Sequence, residues 1–123
     1  MHTLQLNHVA LHVADIEVSD RFYRDVLQLE PLPRPAFDFP GAWYRLGADQ
    51  ELHLIGKRDQ AVHSHHRGNH FALLVDDLDA WQQFFDQRQI PSGPRKMRPD
   101  GAHQLYVQDP DGHWIELCTL PAG

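Results

Sequence analysis

The chain has 123 residues and a formal net charge of −6, with 17 acidic against 11 Lys and Arg residues. That excess of acid, with no basic patch or stripe, gives no reason to expect a nucleic-acid partner. The longest apolar runs, such as Phe71 to Val75, are far too short to cross a bilayer, so no membrane association is expected.

Hydrophobic residues make up 41 % and charged residues 23 %, which makes a packed core feasible and disorder unexpected. One compact domain over residues 1–123 is expected. The start Met1-His2-Thr3-Leu4 lacks the basic region and long apolar stretch of a secretory signal. The single cysteine, Cys118, cannot form an internal disulfide, which fits a reducing compartment and a cytoplasmic location.

The chain repeats itself at an offset of 62 residues. His8 meets His70, Ala10 meets Ala72, Val13 meets Val75, Asp15 meets Asp77 and Phe22 meets Phe84. Two modules follow, about 4–56 and 68–120, joined near Gly56 to Arg67. In the first, Val9, Leu11 and Val13 alternate with His8, Ala10 and His12, the mark of a two-faced strand. Asp15 caps the next helix, whose apolar side is expected to carry Val18, Phe22, Val26 and Leu29. Three strands follow, at about Glu30 to Arg34, Ala42 to Leu46 and Glu51 to Ile55. In the second module Phe71, Leu73 and Val75 form the apolar strand face. Asp76 or Asp77 is the cap, and Leu78, Trp81 and Phe85 are helical. Its last strands fall at about Arg95 to Arg98, His103 to Gln108 and His113 to Thr119. Gly47-Ala48-Asp49 and Asp109-Pro110-Asp111-Gly112 supply the turns between the last two strands of each module. The result is an α+β chain of paired βαβββ modules, each sheet with one apolar face to be covered by its helix.

Strand parity separates core from chemistry. His8 and His12 lie opposite Val9 and Leu11; Glu51 and His53 lie opposite Leu52 and Leu54. His70 lies opposite Phe71, and Glu116 lies opposite Ile115 and Leu117. Imidazole and carboxylate suit Zn, Fe, Ni, Co or Mn, and a two-histidine, one-carboxylate set leaves positions open for substrate. Pattern alone leaves two readings open, a metal centre or solvated strand residues. His12, His103 and His113 read as ordinary surface or structural histidines. The repeat favours His8 and His70 as a pair. His63, His65 and His66 fall in the linker and read as a mobile polar loop.

The motifs also carry a resemblance. Asn7-His8-Val9-Ala10-Leu11-His12-Val13-Ala14-Asp15 resembles the opening strand of the vicinal oxygen chelate superfamily (glyoxalase, bleomycin resistance, extradiol dioxygenase). Phe22-Tyr23-Arg24-Asp25-Val26-Leu27 resembles its first helix. Asp109-Pro110-Asp111-Gly112-His113-Trp114-Ile115-Glu116-Leu117 resembles its closing signature and is the most specific of the three. The likeness covers nearly the whole chain, and is weakest over Glu30 to Phe39 and Lys57 to Arg67.

The resemblance implies an open β-sheet cup with helices outside and one divalent metal (Zn, Ni, Mn, Co or Fe(II)). By motif its ligands are His8, His70 and Glu116, and the remaining ligand position falls on His53. Glyoxalase I holds a carboxylate or amide there, so His53 is a departure. A fourth ligand and a substrate contact are both open for it. The implied activity is that of a metal-dependent lyase or isomerase of glyoxalase type, acting on a small substrate with neighbouring oxygens. Glu116 leads as base, Glu51 stands in reserve, and the Tyr106 hydroxyl can reach substrate. Thiol transfer of the fosfomycin-resistance type, extradiol dioxygenation and metal-free drug binding are the alternatives. Short members of the family imply a homodimer, with each site within one chain or shared between two. Arg34, Lys57, Arg67, Arg95, Lys96 and Arg98 include every candidate anion clamp.

Overall fold

Two βαβββ modules follow one another along the chain, as the internal repeat requires. The computed structural model describes residues 1–122. The chain divides into two units, Met1–Ala61 and Val62–Gly123, and the boundary falls inside the expected linker.

The first unit holds strands β1 (His8–His12), β2 (Glu30–Leu32), β3 (Gly41–Leu46) and β4 (Gln50–Ile55), with helix α1 (Ile16–Arg21) between β1 and β2. The second holds β5 (Phe71–Leu74), α2 (Leu78–Gln87), β6 (Lys96–Met97), β7 (His103–Gln108) and β8 (Trp114–Cys118). The sheets run β1-β4-β3-β2 and β5-β8-β7-β6. In each, the first strand pairs parallel with the last, and the other pairs are antiparallel.

Register fixes which residues share a face. Ala10 lies opposite His53 and Trp43 also faces His53. In the second sheet Ala72 and Tyr106 face Glu116. On the other face Leu52, Leu54, Leu105, Val107, Ile115 and Leu117 are buried. Such side chains each contribute about 1.5–3 kcal/mol when withdrawn from water.

Both helices start where an aspartate ends the preceding strand. Asp15 accepts from the backbone N–H of Glu17 and Val18, and Asp77 accepts from that of Ala80. Of the two candidates in the second module, Asp77 is therefore the cap. Helix α2 buries Leu78 and Phe85 as expected. Helix α1 differs. Its buried residues are Ser19 and, beyond it, Tyr23 and Leu27, whereas Val18 is exposed. Ser19, Tyr23 and Leu27 lie four apart, so the buried side keeps helical spacing but sits one residue on from the expected Val18, Phe22 and Val26, and α1 runs into a π-helical turn over Phe22–Val26. Tyr23 meets Tyr44 of β3 at 5.9 Å. Tyr44 in turn donates to Asp20 (2.6 Å), and burial together with that contact raises the Tyr44 pKa.

Strands β2 and β6 are shorter than expected. Pro33 and Pro35 follow the first, and Pro94 and Pro99 bracket the second; proline cannot donate to a ladder. The turns before β4 and β8 lie where expected, with Gly47 at φ +62 and Gly112 at φ +91, conformations that favour glycine. Asp109 braces the second turn by accepting from the N–H of Asp111 and His113.

Candidate metal centre

The second module builds its polar face around Glu116. The carboxylate is almost buried, at 6 % side-chain exposure. Strand β8 puts it there because Ile115 and Leu117, on either side, point into the core. A buried carboxylate needs donors, and three groups surround it. Tyr106 Oη donates to Oε1 (3.2 Å) and Gln104 Nε2 donates to Oε2 (3.1 Å). His70 Nε2 stands 3.0 Å from Oε1.

The His70 ring is oriented from behind. Its Nδ1 contacts the carbonyl oxygens of Gly68 (3.0 Å) and His65 (3.2 Å). Both are acceptors only, so Nδ1 carries the proton. Nε2, the other ring nitrogen, is directed at a carboxylate oxygen, with room between the two for a proton or for a bound cation. Metal-bound histidines are held this way, with the second ring nitrogen donating to a backbone carbonyl. The donor set therefore fits a divalent metal.

The first module differs. His53 is stacked between Trp43 (4.0 Å, 5°) and His8 (4.3 Å, 20°). Its Nε2 lies 2.8 Å from Glu51 Oε1 and donates to it, which leaves Nδ1 as the acceptor. His8 Nδ1 lies 2.8 Å from Asn7 Oδ1, so the His8 Nε2 is its open nitrogen. Glu51 is more accessible than Glu116, at 35 % side-chain exposure.

The structure thus pairs His70 with Glu116 and groups His8, His53 and Glu51. Among the described residues no three His, Cys, Asp or Glu side chains are gathered closely enough to hold a metal. Burial first, and the Glu116 carboxylate second, push the Tyr106 pKa up to about 12, so its hydroxyl stays a donor. Cys118 is a free thiol whose pKa burial and Glu116 also raise.

Sequence reasoning passed over three participants. Gln104 shares a face with Tyr106 at a spacing of two, so strand parity could have found it. Trp43 faces His53 as Tyr106 faces Glu116. The linker histidines hold the third. That segment is hydrogen-bonded within itself: Ser64 Oγ donates to Asn69 O (2.8 Å), His65 N donates to the same oxygen (3.0 Å), and His65 Nδ1 accepts from Arg67 N (3.1 Å). Ser64 Oγ also accepts from Trp114 N (2.8 Å). His66 packs against Trp114 (5.0 Å) and Tyr106 (5.5 Å). Its Nδ1 is buried without a partner among the described residues. Burial lowers its pKa, and its neighbours His65, Lys96, Arg67 and His70 lower it further.

Of the candidate anion clamps, several have structural partners. Arg34 donates to Phe39 O and covers the Phe37 and Phe39 rings. Arg95 binds Gln82 and Asp79, and Arg98 binds Asp100. Lys96 places its Nζ 5.8 Å from the Tyr106 ring centre. Among the described residues no helix is long and apolar enough to cross a membrane.

Comparison with known proteins bears on the fold and the family. Glyoxylase I 4 of Arabidopsis thaliana is 27 % identical, over 97 % of this chain and 72 % of that protein. Metallothiol transferase FosB of Bacillus licheniformis is 26 % identical, over 94 % of this chain and 75 % of that one. The crystal structure of a glyoxalase family protein from Bacillus anthracis superposes with a TM-score of 0.82 at 26 % identity, covering 97 % of both chains. The sequence profile of the Glyoxalase/Bleomycin resistance protein/Dioxygenase superfamily matches residues 5–117, and the chain belongs to that superfamily.

Proposed function

We propose that the chain is a divalent-metal-dependent enzyme that acts on a small molecule with two neighbouring oxygens by glyoxalase-like proton transfer. His8, His70 and Glu116 are the metal ligands. The observation that carries this is the His70–Glu116 pair, an Nε2 atom set 3.0 Å from a carboxylate oxygen on a ring held from behind by two carbonyls. When bound, the metal supplies Lewis-acid polarisation of the substrate oxygens.

The residues around it divide the remaining work. Glu116, with Tyr106 and Gln104 donating to it, is held in place. Glu116 remains a candidate base by position. The more accessible Glu51 suits proton abstraction better, because proton transfer requires a carboxylate that substrate can reach. His53 holds its Nε2 proton on Glu51, an arrangement that favours a substrate or proton-relay contact over direct ligation. It becomes a fourth ligand through Nε2 only by releasing Glu51. The Tyr106 hydroxyl, kept protonated by burial, donates to a substrate oxygen only by releasing Glu116.

A second reading is thiol transfer to a small electrophile. It is favoured by His53, which stands where glyoxalase I has a carboxylate or amide, and by the similarity to metallothiol transferases FosB. A homodimer is the expected assembly, with the ligands drawn from one chain or from two, and the free Cys118 fits a cytoplasmic setting.

Metal analysis of the purified protein is the test. About one divalent ion per chain is expected in the wild type and in His63→Ala and His65→Ala. It should be lost in His8→Ala, His70→Ala and Glu116→Ala. Full occupancy in Glu116→Ala would end the assignment. Assays of hemithioacetal isomerisation and of thiol addition to an epoxide, each with the metal found, then separate the two readings.

A further inference from the structure

The second module holds a cavity of about 280 Å³ whose lining includes Tyr106, the residue that donates to Glu116. Tyr106, Gln108 and Trp114 form one side of it, and Ile90, Ser92 and Gly93, on the segment between α2 and β6, form the other. Both walls are fixed. Ile90 N donates to Phe85 O (2.9 Å) and Gly93 N to Tyr106 O (2.7 Å). Arg95 anchors the end of the segment on Gln82 (2.8 Å) and Asp79 (2.9 Å). Trp114 is held through its backbone by Ser64 and on its ring by His65 and His66. Such a cavity is formed before any ligand arrives.

We propose that this cavity receives an aryl or branched alkyl substituent of the substrate and so sets specificity. The inference rests on the reading that Glu116 belongs to the reactive site. Tyr106 is the link: its hydroxyl lies on Glu116, the residue is part of the cavity lining, and Gln108 and Trp114, also in the lining, share the Tyr106 and Glu116 face of the sheet. A substrate oxygen near Glu116 therefore leaves its substituent pointing past the tyrosine ring.

The chemistry of the walls selects what enters. No charged side chain lines the cavity. The Gly93 N–H is already used, and Gln108 Nε2 donates to Gly112 O (3.4 Å). Ile90, Pro91 and Val107, with the aromatic residues Tyr106 and Trp114, make the lining mainly apolar instead. An apolar cavity of ~150 Å³ holds benzene, so this one has room for a ring and further atoms. A substituent ending in a carboxylate or ammonium would find no ionic partner there.

The test uses benzyl alcohol as the probe, followed by backbone and indole NMR signals of the metal-free protein. Saturable shifts are expected at Trp114 and Gly93. Ser92→Phe, or the milder Ser92→Leu if the first does not fold, should weaken binding about tenfold or more by occupying the space. In the metal-loaded enzyme the hemithioacetal of phenylglyoxal should show a higher kcat/KM than that of methylglyoxal, and Ser92→Leu should lower the ratio. Unmoved Trp114 and Gly93 signals would overturn the pocket. So would an unchanged substrate ratio in Ser92→Leu, even in an active enzyme. Benzyl alcohol bound at Trp114 in a protein that turns over neither substrate with any metal would instead uphold the pocket and refute the proposed reaction.

Discussion

The two modules put different chemistry at the same place in the same fold. His8 and His70 occupy matching positions at the first strand of each sheet. On the last strand His53 faces Ala10 and Trp43, while Glu116 faces Ala72 and Tyr106. The strand ladder therefore fixes the position, and the cross-strand neighbour decides which group can live there. Tyr106 brings a hydroxyl, and with Gln104 it lets a carboxylate persist at 6 % exposure. Trp43 brings a flat indole face instead, and what suits that face is a ring stacked at 4.0 Å.

The largest effect should come from removing the carboxylate. Glu116→Ala should lower metal affinity by about 100-fold or more, since losing even an outer partner of a ligand costs ~10–100-fold. Calorimetric titration measures it. An equal loss in His53→Ala would show that the modules contribute alike and would break the comparison.

Next in size is an exchange of chemistry between modules. His53→Glu alone should destabilise, because Trp43 offers no hydroxyl to the new carboxylate. Trp43→Tyr with His53→Glu should recover part of that loss. A coupling of about 0.5–3 kcal/mol between the two changes is expected from denaturant unfolding of the four proteins. Strict additivity would mean that the neighbour does not decide.

A smaller effect concerns Tyr106 itself. Tyr106→Phe should weaken metal binding by about 10-fold, in the lower range for an outer partner. The wild-type hydroxyl should ionise near pH 12 rather than 10. The folded pKa is raised, so its contribution is complete below about pH 10 and disappears as pH rises through about 12. The difference in tyrosinate absorbance between wild type and variant reads this directly; a step near pH 10 would deny the burial and Glu116 contact.

The smallest test uses the caps. Asp15→Ala and Asp77→Ala should each cost about 1 kcal/mol. The loss at Asp15, which satisfies two N–H groups against one, should be the larger of the two in thermal melts.

How much of this was legible in the sequence varies with the physical cause. Alternation on β1, β4 and β8 reports face directly, so Leu52, Leu54, Ile115 and Leu117 could be placed in the core from letters alone. The repeat at 62 aligns the first strands, but His53 and Glu116 match only at 63, because one extra residue enters the second module before β7. A fixed offset therefore hides their equivalence, which only strand pairing reveals. The inward side of the first helix falls on Ser19, Tyr23 and Leu27, and a helical period alone does not choose it over Val18, Phe22 and Val26, which have the same spacing. The linker histidines read as solvated because clustered polar residues usually are. What orders them is a hydrogen bond from the distant Trp114 backbone to Ser64, and local composition carries no trace of it. The Glu116 donors lay within reach of parity, whereas the orientation of the His70 ring follows from two backbone carbonyls that no pattern of side chains encodes.

The parallel ladders have a consequence for synthesis. In each module the opening strand finds its partner only in the closing one: His8 waits for Glu51, and Phe71 for Ile115. Neither sheet can zip up progressively as the chain emerges from the ribosome. Each first strand must stay unpaired, with its edge bare, until its module is nearly complete, because contacts so distant in sequence form slowly. For a chain like this the hazardous interval in the cell is the time the ribosome takes to deliver β4 and then β8, and a pause just ahead of either strand would prolong it.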